Sequence, residues 1–414
     1  MRKRWLIALL ALLALAAAGA AAAWWWNDRQ TRDIRGSSTQ EFITTEQTMT
    51  RAEEEVEREP WPIYGLTPDR TRNAVDFDHR PPYRREWVSR AGALIEFPPV
   101  IADGRLYFAN IRGALFAVDA ETGKRAWRRN LGYISAASPA VGDGVVYQPL
   151  LNRPETARDA SSGLLVAIDG ETGEDVWRFR TGAVESSPLL LDGTLYFGTF
   201  DNRLYALDAE TKRVLWSFET GDAVKGAPAH WRGTIYTGSY DGSVYAVDAR
   251  TGKLRWSSES QAGLRGAGNF YAGPAVAYGR VYIGNTDGKV YAFGARSGDL
   301  IWARTTGNYV YSSAAVAGET VFVGSYDRRL YALDAATGDV KWSFEANGAV
   351  SGSPTVMAGL VYFSTLEEKT YALDARTGEV AWTFPDGEYT ALVADEEHAY
   401  IVGRNTVYAL TSRR

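Results

Sequence analysis

YALDAATGDVKW, residues 331–342, decides how the rest of the chain is read, because most of the chain is variations on it. The phrase returns as FAVDAETGKRAW at 116–127, VAIDGETGEDVW at 166–177, YALDAETKRVLW at 205–216 and YAVDARTGKLRW at 245–256. It continues as YAFGARSGDLIW at 291–302 and YALDARTGEVAW at 371–382, and an unfinished copy begins at Tyr408. Tyr-Ala-Leu-Asp alternates apolar and polar side chains and predicts a strand. Asp-Ala-x-Thr-Gly predicts a turn: the carboxylate accepts from N–H groups two or three residues on, and glycine supplies a positive φ. The remaining residues alternate again and predict the partner strand of a hairpin. Each Trp follows the Ala of its copy by the same interval, a large ring beside a small residue. Burial of each ring is expected to contribute roughly 2–3 kcal/mol. Two copies depart: Lys212 stands where the others have Gly, and Gly294 where the others have Asp. A slightly different turn is expected at Lys212.

Outward from the phrase, residues 187–218 read as four strands separated by turns, one propeller blade. Trp87, Trp127, Trp177, Trp216, Trp256, Trp302, Trp342 and Trp382 mark eight repeats of about 40 residues, a period that overrides the domain count suggested by length. The expected fold is all-β: an eight-bladed β-propeller of four-stranded antiparallel blades over residues 84–414. Its ends are complementary. Residues 84–90 hold an outer strand without three partners, and 389–410 hold three strands without a fourth. The N-terminal strand is therefore expected to complete the last blade and remove the open edge.

Upstream, residues 1–4 are cationic and 5–26 uncharged, a run long enough for a bilayer core of ~30 Å. A transmembrane signal-anchor helix is expected, with 1–4 cytoplasmic, Trp24, Trp25 and Trp26 at the outer interface, and the propeller outside the cytoplasm. The resulting localisation is the cell membrane, single-pass. The alternative is secretion after signal cleavage near Ala18-Gly19-Ala20. Residues 27–60 read as a flexible polar linker with a short helix near 46–58. Residues 61–83, holding Pro62, Pro68, Pro81 and Pro82, read as an extended lead-in across the side of the propeller.

A net charge of −5 and the lack of a basic stripe among aromatics argue against a nucleic-acid partner. The absence of cysteine excludes disulfides, thiolate metal sites, a lipidated N-terminal Cys and thiol catalysis. His79, His230 and His398 lie far apart and are expected on the surface. No P-loop, H-E-x-x-H, G-x-S-x-G or EF-hand pattern occurs. Asp76, Asp78, Asp201 and the motif aspartates read as turn residues, so no catalytic and no metal-ligating residues are assigned.

The repeated A-x-D-x-x-T-G-x-x-x-W phrase resembles the tryptophan-docking motif of the quinoprotein (PQQ-type) β-propeller superfamily. Trp61-x-x-Tyr64-Gly65 with Asp69-Arg70-Thr71-Arg72 resembles the lead-in of its dehydrogenases. The likeness covers residues 61–414. It implies the fold, while the superfamily contains both enzymes and binding scaffolds. The dehydrogenases carry an adjacent disulfide over the cofactor, a catalytic Asp and Glu/Asn/Asp ligands to calcium, none of which maps onto this chain. Smaller non-enzymatic members match it better in size, among them the propeller lipoprotein of the outer-membrane β-barrel assembly machine.

Two function classes follow. The first is a membrane-tethered, non-enzymatic propeller, monomeric and without cofactor, that binds a protein, peptide or envelope ligand as scaffold or sensor. The second is a PQQ-dependent dehydrogenase with calcium, or another small-molecule enzyme. Strand direction places the crossings between blades and the second-to-third strand loops on one face. The long insertions 151–163 and 257–273 both belong there. Residues three before the common Pro position should ring the channel mouth: Glu96, Ala136, Glu185, Lys225, Tyr271, Tyr311, Ser351 and Tyr389. Of these, Glu185, Lys225, Tyr271, Tyr311 and Tyr389 are the candidate ligand contacts.

Overall fold

In the computed structural model each complete phrase forms two antiparallel strands joined by a short turn, such as Arg329–Asp334 and Val340–Glu345. The structure describes residues 2–44, 60–153, 161–261, 263, 266–390 and 392–413. Two strands nearer the axis, Ala315–Ala317 and Thr320–Gly324, complete that blade. Eight such sheets are present among the described residues. The last is composite: Tyr83–Arg90 pairs antiparallel with Thr406–Ser412 and supplies the missing outer strand. The eight-bladed, four-stranded architecture expected from the repeat is the one observed.

The tryptophans tie each blade to the next. Trp342 stands opposite Ala332 within its sheet, and its Nε1 donates to the Ala375 carbonyl on the following blade's turn (3.2 Å). Its ring lies on Gly378, where a Cβ would come within 2.8 Å of it and φ is +77°. The glycine thus serves the turn and the ring together. Trp87, Trp127, Trp177, Trp216, Trp256 and Trp302 donate in the same way. Trp382 faces the unfinished copy, which has no such turn, and meets Tyr83 edge-on at 5.0 Å instead. Each motif Asp accepts from the Thr N–H three residues on, as at Asp208 from Thr211 (2.7 Å) and Asp374 from Thr377 (2.8 Å).

The two departures resolve differently. Lys212 takes φ 52°, so the turn is unchanged and a lysine carries the left-handed position; Trp177 still donates to Ala209 (2.9 Å). At Gly294 the missing carboxylate comes from elsewhere: Glu41 Oε2 accepts from Arg296 N–H at 3.2 Å. A Cβ at Gly294 would lie 2.7 Å from that oxygen, so the glycine makes room for it.

Glu41 belongs to the stretch read as a flexible linker, and its described part is not free. Ile34 and Ala303 exchange backbone hydrogen bonds (both 3.0 Å), which extends the outer strand Leu300–Thr305 of blade five. Asp33 accepts from Thr305 N–H (2.8 Å) and pairs with Arg304 (3.1 Å). Phe42 stacks on Tyr278 at 5.1 Å, and the buried Arg280 donates to the Ser37 and Gln40 carbonyls (2.6 Å each). The short helix expected near 46–58 lies outside the described residues.

The N-terminal helix runs Arg2–Thr31. Among the described residues no helix is long and apolar enough to cross a membrane. This corrects the reading of 5–26 as a signal-anchor, and with it the single-pass cell-membrane localisation. The run passes from leucines into alanines, whose small surface contributes little on transfer, and the same helix continues through Asn27, Asp28 and Arg29. Its C-terminal end rests on the propeller, where Lys289 Nζ meets the Thr31 carbonyl, a cation at the negative end of a helix.

The lead-in is also placed differently from the expectation: it threads the axis rather than lying across the side. Trp61 and Ile101 exchange backbone hydrogen bonds (3.0 and 2.7 Å). The carbonyls of Pro62, Pro68, Asp69, Thr71 and Arg72 then accept from Val141, His230, Val276, Val316 and Val356, at 2.8–3.0 Å. Asn73–Ala74 ends the circuit as a parallel strand beside Thr355–Met357. Innermost strands of a propeller leave one edge unpaired; a proline-rich segment lends its carbonyls to them in turn. His79 and His398 are buried rather than on the surface; His79 Nε2 lies 2.7 Å from the Asp395 carbonyl of the composite blade, and the His398 backbone N–H donates to Asp395 Oδ1 (2.7 Å).

Candidate functional site

Each blade's chain enters its innermost strand from the face that carries the crossings. The residues just before those strands form a belt joined blade to blade. Ser138 N–H donates to Ser187 Oγ (3.0 Å), Ser186 Oγ to the Gly226 carbonyl (3.0 Å) and Gly273 N–H to Ser313 Oγ (2.9 Å). Ser312 Oγ donates to the Gly352 carbonyl (3.1 Å), and Ser313 N–H to Ser353 Oγ (3.0 Å). The belt fixes the mouth, and the lead-in closes the channel below it. The result is a cup of about 550 Å³ with Trp61, Tyr64 and Arg72 among its lining residues.

Tyr271, Tyr311 and Tyr389, with Glu96 and Ser351, line this cup. Glu185 and Lys225 stand beside it. Tyr271 donates its hydroxyl to Glu185 Oε1 (2.6 Å), and Lys225 Nζ is 3.7 Å from Glu185 Oε2. The ammonium also lies over the rings of Phe200 and Tyr240, at 4.3 and 4.4 Å. Tyr271 and Tyr311 meet edge to face at 5.0 Å, and Tyr311 continues to Tyr326 at 5.1 Å. Ala136 is buried and does not line the cup. Residues 154–160, 262, 264 and 265 of the two insertions lie outside the described residues. Their described ends reach the crowded face, where Ile134 N–H donates to Asn152 O (2.9 Å) and Asn285 Nδ2 to Gly268 O (3.1 Å).

The repeat contains a signal that the sequence reading did not use. Phe200, Tyr240 and Tyr326 occupy one position of the repeat, just before the Asp of the second-to-third strand turn, and all three adjoin the candidate residues. Tyr64 and Arg72 carry no such signal, because the lead-in has no copy to align with.

Burial, together with Glu185 and Glu388, pushes Glu96 up to about 7. Burial also raises Glu185, although Lys225 and Tyr271 oppose it. A carboxyl whose folded pKa exceeds its unfolded value contributes stability that is complete below the unfolded pKa. That contribution is lost as pH rises through about 7. Glu96→Gln is therefore expected to leave the melting temperature unchanged near pH 4.5 and to raise it at pH 8. Parallel melting curves of variant and parent across that range would contradict the assignment.

The carboxylate of Glu185 is engaged by an ammonium and a phenol. The cofactor implied by the resemblance comes with a metal ion. Among the described residues no group of three or more His, Asp or Glu could hold one. The arrangement is suited to recognition: an aromatic cup with polar groups held at fixed positions.

A family profile described as outer membrane protein assembly factor BamB matches residues 84–152, 161–309 and 286–414. Quinohemoprotein alcohol dehydrogenase ADH IIB of Pseudomonas putida is 31% identical over 140 residues, a match that spans 31% of this chain and 20% of the dehydrogenase. Among solved structures, a europium-containing methanol dehydrogenase superposes with TM-score 0.71 at 13% identity, covering 85% of this chain and 98% of its own. BamB from Moraxella catarrhalis superposes with TM-score 0.64 at 17% identity, covering 80% and 99%. Both structural likenesses are those of a shared fold.

Proposed function

The chain belongs to the BamB family of PQQ-like propellers, and we propose that it is a non-enzymatic binding module whose cup receives a protein or peptide ligand. The observation that carries this reading is the cup itself: Tyr271, Tyr311 and Tyr389 at the mouth of a channel floored by the chain's own lead-in. Phenols present a large rigid surface with one polar tip, at small cost in side-chain entropy, and are enriched where proteins meet partners. Crosslinking in the native cell followed by copurification supplies the partner. Tyr311→Ala combined with Tyr389→Ala is then expected to weaken its binding by about tenfold or more, with the melting temperature shifted by only a few degrees. Lys225 is left in place because its pairing with Glu185 belongs to the wall. Unchanged affinity, with loss appearing on substitution of Arg250 and Lys253 at the Thr-Gly face, would place the interface on the opposite side.

A second reading, a PQQ-dependent dehydrogenase, draws on the similarity to the Pseudomonas putida enzyme. Stoichiometric uptake of PQQ in the presence of calcium, read by absorbance, would favour it over the binding module.

A further inference from the structure

Ten buried side-chain nitrogen or oxygen atoms have no hydrogen-bond partner among the described residues. Four of them belong to residues lining the cup: Nη1 and Nη2 of Arg72, Nε1 of Trp61 and Oγ1 of Thr390. All four can donate. Arg72 is 3% exposed and Trp61 1%, so water does not reach them as it would at a surface. A buried charge left unpaired is costly, and the cost is relieved by an anion that brings its own acceptors. The neighbouring Arg70 differs: its Nε and Nη2 donate to the carbonyls of Pro228 (3.0 Å), Ser187 (3.4 Å) and Pro188 (3.2 Å). The carboxylate nearest in sequence, Asp69, accepts from Thr67 Oγ1 (2.6 Å), Thr71 N–H (3.2 Å) and Thr71 Oγ1 (3.1 Å). Arg72 therefore stands in the floor held by its backbone, through its carbonyl to Val356 N–H (3.0 Å), while Nη1 and Nη2 of its fork meet no carboxylate and face the Tyr64 ring and phenol packed on them. Gly65 makes space for it, since a Cβ there would lie 2.6 Å from Nη1.

We propose that the floor of the cup is a carboxylate site, formed by the Arg72 fork with Trp61 Nε1 and Thr390 Oγ1 and covered in the free protein by Tyr64. This rests on the cup being the binding site. The Tyr64 ring lies 4.1 Å from the guanidinium carbon, and its hydroxyl sits 3.0 Å from Ser353 Oγ, with Ser313 and the Arg72 guanidinium also beside it. Moving the ring exposes the fork. A guanidinium matches a carboxylate with two parallel hydrogen bonds. A single negative charge suits the cup better than a phosphate dianion, because Glu96 lines the cup and Glu185 stands beside it. The tyrosines above the floor favour an aromatic or apolar body on the acid. Two sources share that chemistry: the free C-terminus of a peptide, and a small aromatic acid.

The probes are N-acetylphenylalanine, its C-terminal amide and phenylacetate, titrated calorimetrically into the full chain. The acid is expected to bind about tenfold tighter than the amide or more, as a charge-assisted pair implies. Arg72→Gln should abolish that preference. Tyr64→Phe, which keeps the ring and removes the hydroxyl that holds it in place, should tighten the acid several-fold. N-acetylphenylalanine binding better than phenylacetate assigns the site to peptide C-termini, and the reverse order assigns it to small acids. Equal binding of acid and amide, or a preference that survives Arg72→Gln, overturns the carboxylate site. So does the absence of binding by any probe. In that last case the cup is judged separately, by the effect of Tyr311→Ala with Tyr389→Ala on the crosslinked partner. Should Arg72→Gln fail to fold, the acid–amide comparison and Tyr64→Phe decide on their own.

Discussion

Exchanging residues 84–90 for a glycine–serine linker of equal length is expected to abolish the cooperative unfolding of the propeller. The segment forms most of the strand Tyr83–Arg90, whose register runs from Tyr83 opposite Ser412 to Arg90 opposite Thr406. It carries Trp87, which donates to Ala120 (3.0 Å) and lies on Gly123 of blade one. Loss of the ring removes roughly 2–3 kcal/mol of burial, and each lost ladder hydrogen bond about 1 kcal/mol net. The sum is of the same order as the whole stability of a typical domain, about 5–15 kcal/mol. It is lost where the ring closes, so blades eight and one part and an unpaired strand edge is exposed. Calorimetry should show a broad, low transition, and light scattering should show association. A single sharp transition near that of the parent would mean that the N-terminal strand does not close the ring.

The architecture was legible because it is written repeatedly. One phrase gives a strand, a turn and a strand. Its interval gives the blade, and the mismatch of the two ends gives the closure. The motif aspartates were readable for the same reason, since an Asp before x-x-Thr has a local task that needs no tertiary partner. Segments that occur once were harder. Nothing in the composition of Trp61–Arg72 distinguishes a strand lying on the outside from one lying along the axis, because its side chains are unremarkable and its carbonyls do the pairing. The described part of the linker is polar by composition, yet it docks through Ile34, Phe42 and Glu41. The glycine at 294 was visible as a gap in the repeat, and the carboxylate that fills it comes from residues so distant that no local rule connects them.

The candidate site divides along the same line. Counting back from the innermost strands found Tyr271, Tyr311 and Tyr389, because strand direction alone puts them at the mouth. It placed Glu185 and Lys225 at the mouth as well, without indicating that they engage each other beside the cup and that Tyr271 donates to Glu185. It missed Tyr64 and Arg72 entirely, since they reach the cup from a segment outside the repeat. The N-terminal helix shows the opposite failure. The uncharged run 5–26 suggested a span by its length, while its alanine content carried less apolar surface than that length implied.

Trp61→Ala is expected to destabilise the protein by about 3–5 kcal/mol, the range for removing a buried tryptophan side chain. The ring is 1% exposed and packs with Ala74, Phe77, Ile101 and Val393 where the lead-in enters the channel. Its Nε1 has no partner among the described residues, so the loss is of packing and not of a hydrogen bond. The effect should spread further than at a docking tryptophan, because Trp61 anchors, on blade one, the first carbonyls of a segment that caps five further blades. The amides of Val141, His230, Val276, Val316 and Val356 donate to that segment. They are therefore expected to lose protection from hydrogen exchange together in the variant, well before the amides within the blades. Trp216→Ala, by contrast, removes a ring lodged between blades three and four, with its bond to Ala249 (2.9 Å), and should leave the five axial amides protected. If those amides keep their protection in Trp61→Ala while the melting temperature falls, the lead-in is held by Arg70 and its carbonyl partners, and Trp61 contributes only to the packing of blades one and eight.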